Sequence, residues 1–212
     1  MRFKLSVCQV ESRVLDTVSE LVKLLMPSDP VHGLGHVERV ARMACRIARN
    51  YESVDHEVLL LSAYLHDIGR LSSPENHAVR SASIVRHILR MLGYPEDRIE
   101  KVVDTVLAHS YSLGYVAMST EAKILSDADK LDALGSIGLV RVLMYSGELG
   151  RDLGEVIEHI KAKLLRLPET MYTSEGKAEA EKRVKIIREF LENLFQELDV
   201  YSEEGGEQLR EE

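Results

Sequence analysis

The chain has no tryptophan, three phenylalanines and only two cysteines among its 212 residues. Two cysteines are too few for a disulfide framework or a thiolate metal site, so we expect Cys8 and Cys45 to be free structural thiols. No apolar run reaches the roughly 18 residues of a bilayer-spanning helix, so we expect no membrane-spanning segment. The first residues also lack the apolar stretch of a secretory signal, which predicts a cytoplasmic protein.

The chain has fewer basic residues than acidic ones. Lysine and arginine together number 27 against 35 acidic residues, which gives a formal net charge of −8. This balance disfavours a long nucleic acid as the partner, because its backbone requires a broad basic surface. A small phosphorylated ligand remains compatible, since it needs only a local positive patch or a bound cation.

Strand patterns longer than a few residues are absent, whereas apolar residues recur at helical spacing almost throughout. Turn and capping signals divide the chain into predicted helices over residues 11–26, 36–51, 56–67, 74–92, 95–106, 120–145, 152–167 and 174–200. The length suits one sizeable core. We therefore predict an all-α, single-domain helical bundle of about seven or eight helices spanning residues 1–212.

Histidine and aspartate occupy positions on otherwise apolar helical faces. His36, His109 and Asp129 share their faces with apolar residues, and His66 and Asp67 end the most apolar predicted helix. A buried carboxylate without a partner costs several kcal/mol, and imidazole together with carboxylate suits a divalent cation. A single histidine on an apolar face is more often hydrogen-bonded core filling than a ligand, whereas the spacing of the four residues together leaves both interpretations open.

The order of these residues resembles that of the HD-domain metal-dependent phosphohydrolases. It is carried by "HGLGHVERV", "LHDIGR" and "DADKLDALGSIG", and "MYTSEGKAEAEKRVKIIREFLENL" looks like one branch of small, stand-alone HD hydrolases of bacteria and archaea. The resemblance covers residues 28–198. It implies an HD-domain fold with its core at about 28–148, C-terminal helices at about 152–200 and an acidic tail at 201–212.

By this resemblance, His36, His66, Asp67 and Asp129 are the metal ligands. Asp127 is an alternative for the last ligand, because a two-residue shift would exchange the two aspartates. We prefer Asp129, since the family's last aspartate usually stands in an alanine-aspartate-basic-leucine setting. Asp127 would then support the ligands or cap a helix.

Some HD branches bind a second metal ion through two further histidines. His77 and His109 match them in order and setting, although Ser110 stands where many two-metal members have another histidine. The resemblance therefore implies one or two divalent ions, chosen from Mn, Fe, Co, Ni, Zn and Mg. The other histidines among charged or off-face positions, His56, His87 and His159, are predicted to lie on the surface.

A divalent cation lowers the pKa of bound water from about 15.7 toward 7 and offsets charge on phosphoryl oxygens. No Gly-x-Ser-x-Gly motif or glycine-rich phosphate loop suggests another mechanism. The expected activity is hydrolysis of a nucleotide or related phosphoester, for example a nucleoside triphosphate cut to monophosphate and pyrophosphate.

The expected catalytic residues are Asp67 and Asp132. Asp67 would act as a metal ligand, and Asp132 would orient water or a histidine. The structural alternative for Asp132 is a surface acid paired to a lysine. Arg70, Lys130 and His32 are candidate phosphate contacts. Arg39 is expected to form a structural ion pair. The tyrosines considered for stacking on a base are Tyr64, Tyr94, Tyr111 and Tyr115.

Two alternatives belong to other functional classes. One is a non-catalytic helical sensor that binds metal and nucleotide. The other is a partner-binding helical module whose histidines only fill the core. The sequence also leaves open whether the chain forms a homo-oligomer.

Overall fold

Helices account for all the regular secondary structure in the described part of the chain. The computed structural model describes residues 8, 10–29, 31–71, 75–109 and 114–208. The α-helices are α1 (Arg13–Leu25), α2 (Leu34–Ala48), α3 (His56–Leu65), α4 (His77–Met91), α5 (Glu96–Ala108), α6 (Thr120–Asp132), α7 (Gly135–Glu148), α8 (Leu153–Ala162) and α9 (Ser174–Gln208). Short 3-10 helices cover Ile68–Leu71 and Leu164–Thr170. The all-α prediction is confirmed, with nine α-helices in these ranges instead of seven or eight.

The additional helix arises because the predicted helix over 120–145 is broken in two. Gly135 has φ +70°, a left-handed conformation that favours glycine. A Cβ atom on Gly138 would lie 2.1 Å from the carbonyl oxygen of Ala133, so the backbone turns tightly here. The small residues that suggested close helix contact therefore form the break between α6 and α7.

Other helix boundaries also differ from the predictions. Asp152 and Glu155 form the expected capping box of α8, but this helix ends at Ala162 and continues as the 3-10 helix that contains Pro168. The α9 backbone continues through Gln208, eight residues into the segment expected as a tail, where several glutamates favour helix. The predicted helix start at Ser73 and Pro74 lies outside the described residues.

Helix α3 is the centre of the core. Every residue of the range Val58–Leu65 is buried, and α3 contacts α1, α2, α5 and α6. Burying one leucine side chain contributes about 1.5–3 kcal/mol, so this helix is held firmly on all sides. Its last turn therefore presents His66 and Asp67 at a fixed place in the interior.

The cysteine prediction is wrong, because the structure joins Cys8 and Cys45 by a disulfide. The segment that precedes α1 approaches α2, and the two Cα atoms lie 5.6 Å apart, within the usual range for a disulfide. Both residues are buried in the main hydrophobic cluster. A contact between residues 37 positions apart leaves no signal in local spacing.

Among the described residues, no helix combines the length and the apolar composition needed to cross a bilayer.

Candidate metal centre

The four proposed ligands come from the ends or inner faces of three helices. His36 lies in the first turn of α2, and Asp129 lies in α6. His66 is the C-terminal cap of α3, and the chain enters a 3-10 helix at Ile68. Because the backbone leaves α-helical geometry there, His66 and Asp67 can both face the same point although they are neighbours in sequence.

Their donor atoms converge. The Nε2 atom of His36 lies 3.2 Å from Nε2 of His66 and 3.4 Å from Oδ1 of Asp129. Oδ2 of Asp67 lies 3.8 Å and 3.9 Å from the same two nitrogens. Ligands at the usual metal distance of about 2.0–2.1 Å are themselves separated by roughly 3.3 Å in a tetrahedral site. The spacing of His36, His66 and Asp129 therefore fits a shared cation, and Asp67 lies slightly farther from the two nitrogens.

Hydrogen bonds on the far side of each ring orient the histidines. The Nδ1–H of His66 donates to the carbonyl oxygen of Ala63 at 2.8 Å, and His36 Nδ1 lies 2.7 Å from Oδ2 of Asp132. His109, the C-terminal cap of α5, is bonded in the same way to the carbonyl oxygen of Val106. With Nδ1 engaged as a donor, each Nε2 keeps its lone pair for a metal.

Asp67 provides a test of whether these residues fit a metal ion. Its Oδ1 atom is buried and has no hydrogen-bond partner within the described structure. The nearest nitrogens, Nε2 of His77 at 3.4 Å and Nε2 of His109 at 3.8 Å, do not complete a hydrogen bond. An unpaired buried carboxylate oxygen is costly, and a cation removes the cost. The donor set therefore fits a divalent ion.

The two oxygens of Asp67 face different sets of nitrogens. Oδ2 faces His36 and His66, whereas Oδ1 faces His77 and His109. Two groups of side chains could each hold an ion: His36, His66 and Asp129, and separately His66, Asp67 and His109. A carboxylate between two groups of imidazoles is compatible with either one ion or two.

The electrostatics keep Asp67, Asp129 and His66 in forms that bind metal. Burial acts to raise the pKa of Asp67, but His66, His109 and Arg70 outweigh it and hold the pKa well below its ordinary value. The pKa of Asp129 is also lowered against the effect of burial, chiefly by His36. Burial lowers the pKa of His66 to about 4. At neutral pH both aspartates are therefore charged and His66 is neutral.

Asp132 is buried and supports His36 from behind. In addition to its contact with His36, Asp132 accepts two hydrogen bonds from Arg39, at 2.7 Å and 2.9 Å. It also forms an ion pair with Arg141 at 2.9 Å. Burial opposes ionisation, but the bonds to His36 and Arg39 lower the pKa of Asp132 to about 2. The alternative of a surface acid paired to a lysine is wrong, because the last turn of α6 faces α2. Arg39 forms the expected ion pair.

We expect Asp132→Ala to weaken Mn²⁺ binding by about 10–100-fold, because His36 loses the partner that fixes its tautomer and ring orientation. Asp132→Asn keeps one acceptor oxygen and should give a smaller loss. A competition titration against a fluorescent chelator measures both affinities, and circular dichroism checks that the helices remain. An affinity within twofold of wild type in Asp132→Ala would show that His36 does not depend on this carboxylate.

Asp127 has a different environment from Asp129. It accepts hydrogen bonds from the backbone N–H groups of Tyr172 and Thr173, at 2.9 Å and 2.7 Å, and from the Thr173 hydroxyl at 2.6 Å. A Cβ atom on Gly176 would come within 2.4 Å of its Oδ2 atom. Asp127 therefore fixes the start of α9, while Asp129 faces the histidines.

A cavity of about 250 Å³ adjoins the proposed ligands. Asp67, Asp129, His77 and His109 form part of its wall. The three predicted phosphate contacts, His32, Arg70 and Lys130, line it as well. The remaining polar lining comes from α7 and from α8 with its C-terminal cap: Arg141, Tyr145, His159 and Lys163.

Two of the three predicted phosphate contacts, Arg70 and Lys130, already have partners inside the protein. Arg70 Nε donates to Oδ2 of Asp67 at 2.7 Å. Lys130 Nζ donates to the carbonyl oxygen of Thr170 at 2.7 Å, and burial lowers its pKa. Burial, with Arg70 nearby, also lowers the pKa of His32 to about 4. His32 is therefore neutral at pH 7, whereas Arg70 contributes positive charge to the cavity wall.

The sequence did not indicate the part of the cavity built by α7 and α8. His159, predicted to lie on the surface, is half-buried and lines the cavity. Tyr64 and Tyr94 are buried away from it, Tyr115 is exposed and does not line it, and Tyr111 lies outside the described residues. Among the described residues, Tyr145 is the tyrosine that lines the cavity. The available signal was the i, i+4 spacing of Arg141 and Tyr145, which puts both side chains on one face of α7. This signal was missed because α6 and α7 were predicted as one helix over residues 120–145.

Comparison with known proteins agrees with this site. Residues 33–134 match the family model of the HD domain. The matched part of this chain is an HD domain. The matched range contains all the proposed metal ligands, whereas α7, α8 and α9 lie beyond it.

Relatives of this HD-domain protein match it over most of their length. Bacillus subtilis YpgQ is 29% identical over 175 residues, which are 79% of this chain and 84% of YpgQ. The crystal structure of YpgQ in complex with ADP superposes with a TM-score of 0.72 at 26% identity, covering 87% of this chain and 95% of that one. An HD-superfamily hydrolase from Bacillus thuringiensis gives a TM-score of 0.68 at 28% identity, with 87% and 96% coverage. A predicted HD superfamily hydrolase from an uncultured Thermotogales bacterium gives 0.64 at 26%, with 87% and 92% coverage.

Proposed function

We propose that this HD-domain protein is a metal-dependent phosphohydrolase that acts on a nucleotide or a related phosphoester. The observation that carries the proposal is the buried, unpartnered Oδ1 atom of Asp67 among histidine nitrogens, at the wall of a cavity with several cationic side chains. A carboxylate held in this way is expensive in a purely structural core. The solved relatives named as HD-superfamily hydrolases support the same reaction class.

His36, His66, Asp67 and Asp129 are the proposed ligands of a divalent cation, and His77 and His109 are proposed to join Asp67 around a second one. When bound, such a cation supplies an acidified water and compensation for phosphoryl charge. The protein's own contribution is to hold the donor atoms at fixed positions through Asp132, the Ala63 carbonyl and the Val106 carbonyl. Fixed ligands need no reorganisation during the reaction.

Phosphate recognition is assigned to the cations of the cavity wall. Arg70 and Arg141 present guanidinium groups that suit phosphate oxygens, and Lys130 and Lys163 add ammonium groups. Arg70 and Arg141 are already paired with Asp67 and Asp132, so a phosphate would share them with those carboxylates. Lys163, exposed at the C-terminal end of α8, is placed to meet the outer part of a phosphate chain.

A nucleotide is the proposed substrate class, with a nucleoside triphosphate cut to monophosphate and pyrophosphate as the favoured reaction. The relative YpgQ has been crystallised with ADP, and the structure alignment covers 87% of this chain. The cavity of about 250 Å³ also has an apolar side, formed by Val142, Leu164 and Leu167 beside Tyr145. Apolar lining of this kind suits a nucleoside better than an inorganic phosphate.

The test is a panel of nucleoside mono-, di- and triphosphates and simple phosphoesters, assayed with the purified protein after metal analysis and with added Mn²⁺. We expect metal-dependent turnover of at least one nucleotide and none in excess chelator. The released product, orthophosphate or pyrophosphate, identifies the bond that is cut. A metal-loaded protein that binds nucleotides without any product would instead favour a non-catalytic sensor. A protein without metal, whose melting temperature Mn²⁺ leaves unchanged, would favour a partner-binding module.

A further inference from the structure

A second cleft, of about 230 Å³, lies between α2, α6, α7 and α9. Its polar lining consists of Arg39, Arg42, Arg46, Asp132 and Arg183, and we call it the arginine cleft. It shares no lining residue with the cavity at the metal ligands. The proposed phosphohydrolase reaction does not use it.

Helical spacing brings these arginines together. Arg39, Arg42 and Arg46 stand at positions i, i+3 and i+7 of α2, so they share one face of the helix. Arg183 reaches the same cleft from α9, where its Nη1 donates to the carbonyl oxygen of Leu131 at 2.7 Å. Four guanidinium groups therefore line one cleft of a chain whose net charge is −8.

The acidic residues nearby do not neutralise the arginine cleft. Asp132 is the single carboxylate among its described lining residues, and His36, Arg39 and Arg141 already occupy it. Two further carboxylates approach the cleft arginines. Glu38 lies 3.6 Å from Arg42, and Glu179 lies 3.0 Å from Arg183 and 4.0 Å from Arg46.

The contacts of Arg42 and Arg46 are longer than hydrogen bonds, and their side chains are 51% and 64% exposed. Exposed ion pairs of this length contribute little, so both guanidinium groups are available to another anion.

We propose that the arginine cleft is a binding site for a small phosphoryl anion, inorganic phosphate or pyrophosphate. Guanidinium groups bind phosphate oxygens through paired hydrogen bonds, and several of them here converge from two helices. Unlike the cavity at the metal ligands, which Tyr145 lines, the cleft has no aromatic side chain among its described lining residues to stack on a base. A free phosphate or pyrophosphate therefore fits the cleft better than a whole nucleotide.

Arg39 connects the arginine cleft to the metal ligands. It lines the cleft and also donates two hydrogen bonds to Asp132, the carboxylate that orients His36. An anion that draws Arg39 away from Asp132 leaves more negative charge facing the His36 ring, which makes its Nε2 atom a stronger ligand. Occupation of the cleft should therefore tighten metal binding, by about fivefold or more if the coupling is typical in size.

The experiment follows phosphate binding by NMR of the arginine Nε–H groups in the full chain loaded with Zn²⁺, at constant ionic strength. The test variant is Arg42→Gln/Arg46→Gln. The matched control is Arg49→Gln, which removes an exposed arginine at the C-terminal cap of α2 that does not line the cleft. In parallel, Mn²⁺ affinity is measured with and without phosphate by chelator competition.

We expect the Arg39, Arg42 and Arg46 signals of wild type to shift saturably with one shared dissociation constant, more tightly for phosphate or pyrophosphate than for AMP. The double variant should lose the Arg39 shift and the phosphate-dependent gain in Mn²⁺ affinity, whereas Arg49→Gln keeps both. Shifts that never saturate, or that are equal in the double variant, would overturn the site. A phosphate effect on Mn²⁺ affinity that is the same in all three proteins would overturn the coupling. Neither readout requires catalytic turnover, so the site can fail while the proposed function stands.

Discussion

Asp67→Ala is expected to lose bound metal and hydrolytic activity together, with activity reduced by about 10³-fold or more, because the cation supplies several kcal/mol of charge stabilisation. Asp67 is the carboxylate that faces all four histidines, so no other described residue can replace it. Helix content should survive, since Asp67 follows α3 and does not support its packing. Elemental analysis, the nucleotide assay and circular dichroism measure the three outcomes.

Two further variants sharpen this test. Asp67→Asn keeps the size of the side chain and removes its charge, so it should also lose the metal. Asp97→Ala, in the exposed first turn of α5, removes one acidic charge outside the cavity and should behave as wild type. Full activity in Asp67→Ala would remove this carboxylate from the site, whatever the metal content of the protein.

Asp127→Ala is expected to lose stability but keep metal binding, whereas Asp129→Ala is expected to keep its fold but lose metal binding. Asp127→Ala should destabilise the protein by about 3 kcal/mol or more, because two backbone N–H groups and a buried hydroxyl at the start of α9 lose their acceptor. Its folded fraction should still bind metal. Asp129→Ala should remain folded but lose most of its metal, since Asp129 opens to the cavity beside His36. Urea unfolding and elemental analysis separate the two effects.

Two results would contradict the roles assigned to these two aspartates. If Asp127→Ala lost its metal with unchanged unfolding free energy while Asp129→Ala kept it, the last ligand would be Asp127. Similar losses of stability in both variants would mean that Asp129, too, serves mainly to hold the fold.

The all-α fold could be predicted from the sequence because helical periodicity is a local property. The break at Gly135 could not be, because small residues suit both close helix packing and a tight turn. The Cys8–Cys45 disulfide also depends on a long-range approach that spacing does not encode.

At the candidate site, His36, His66, Asp67 and Asp129 drew attention because a polar side chain on an apolar helical face is costly unless it has a partner in the interior. Their order then carried the family resemblance, and the resemblance implied their role as metal ligands, which stays a prediction. The resemblance could not predict the partners of Asp132, because the guanidinium groups of Arg39 and Arg141 reach it from two other helices, α2 and α7. The wall formed by α7 and α8 lies beyond the HD-domain match, and no motif indicated it.

The most direct test is anomalous diffraction at the manganese edge from crystals grown with Mn²⁺. We predict a peak within bonding distance of His36, His66, Asp67 and Asp129, with or without a second peak near His77 and His109. Well-ordered crystals without any peak among these side chains, and with Asp67 paired to another protein group, would contradict the proposed metal centre.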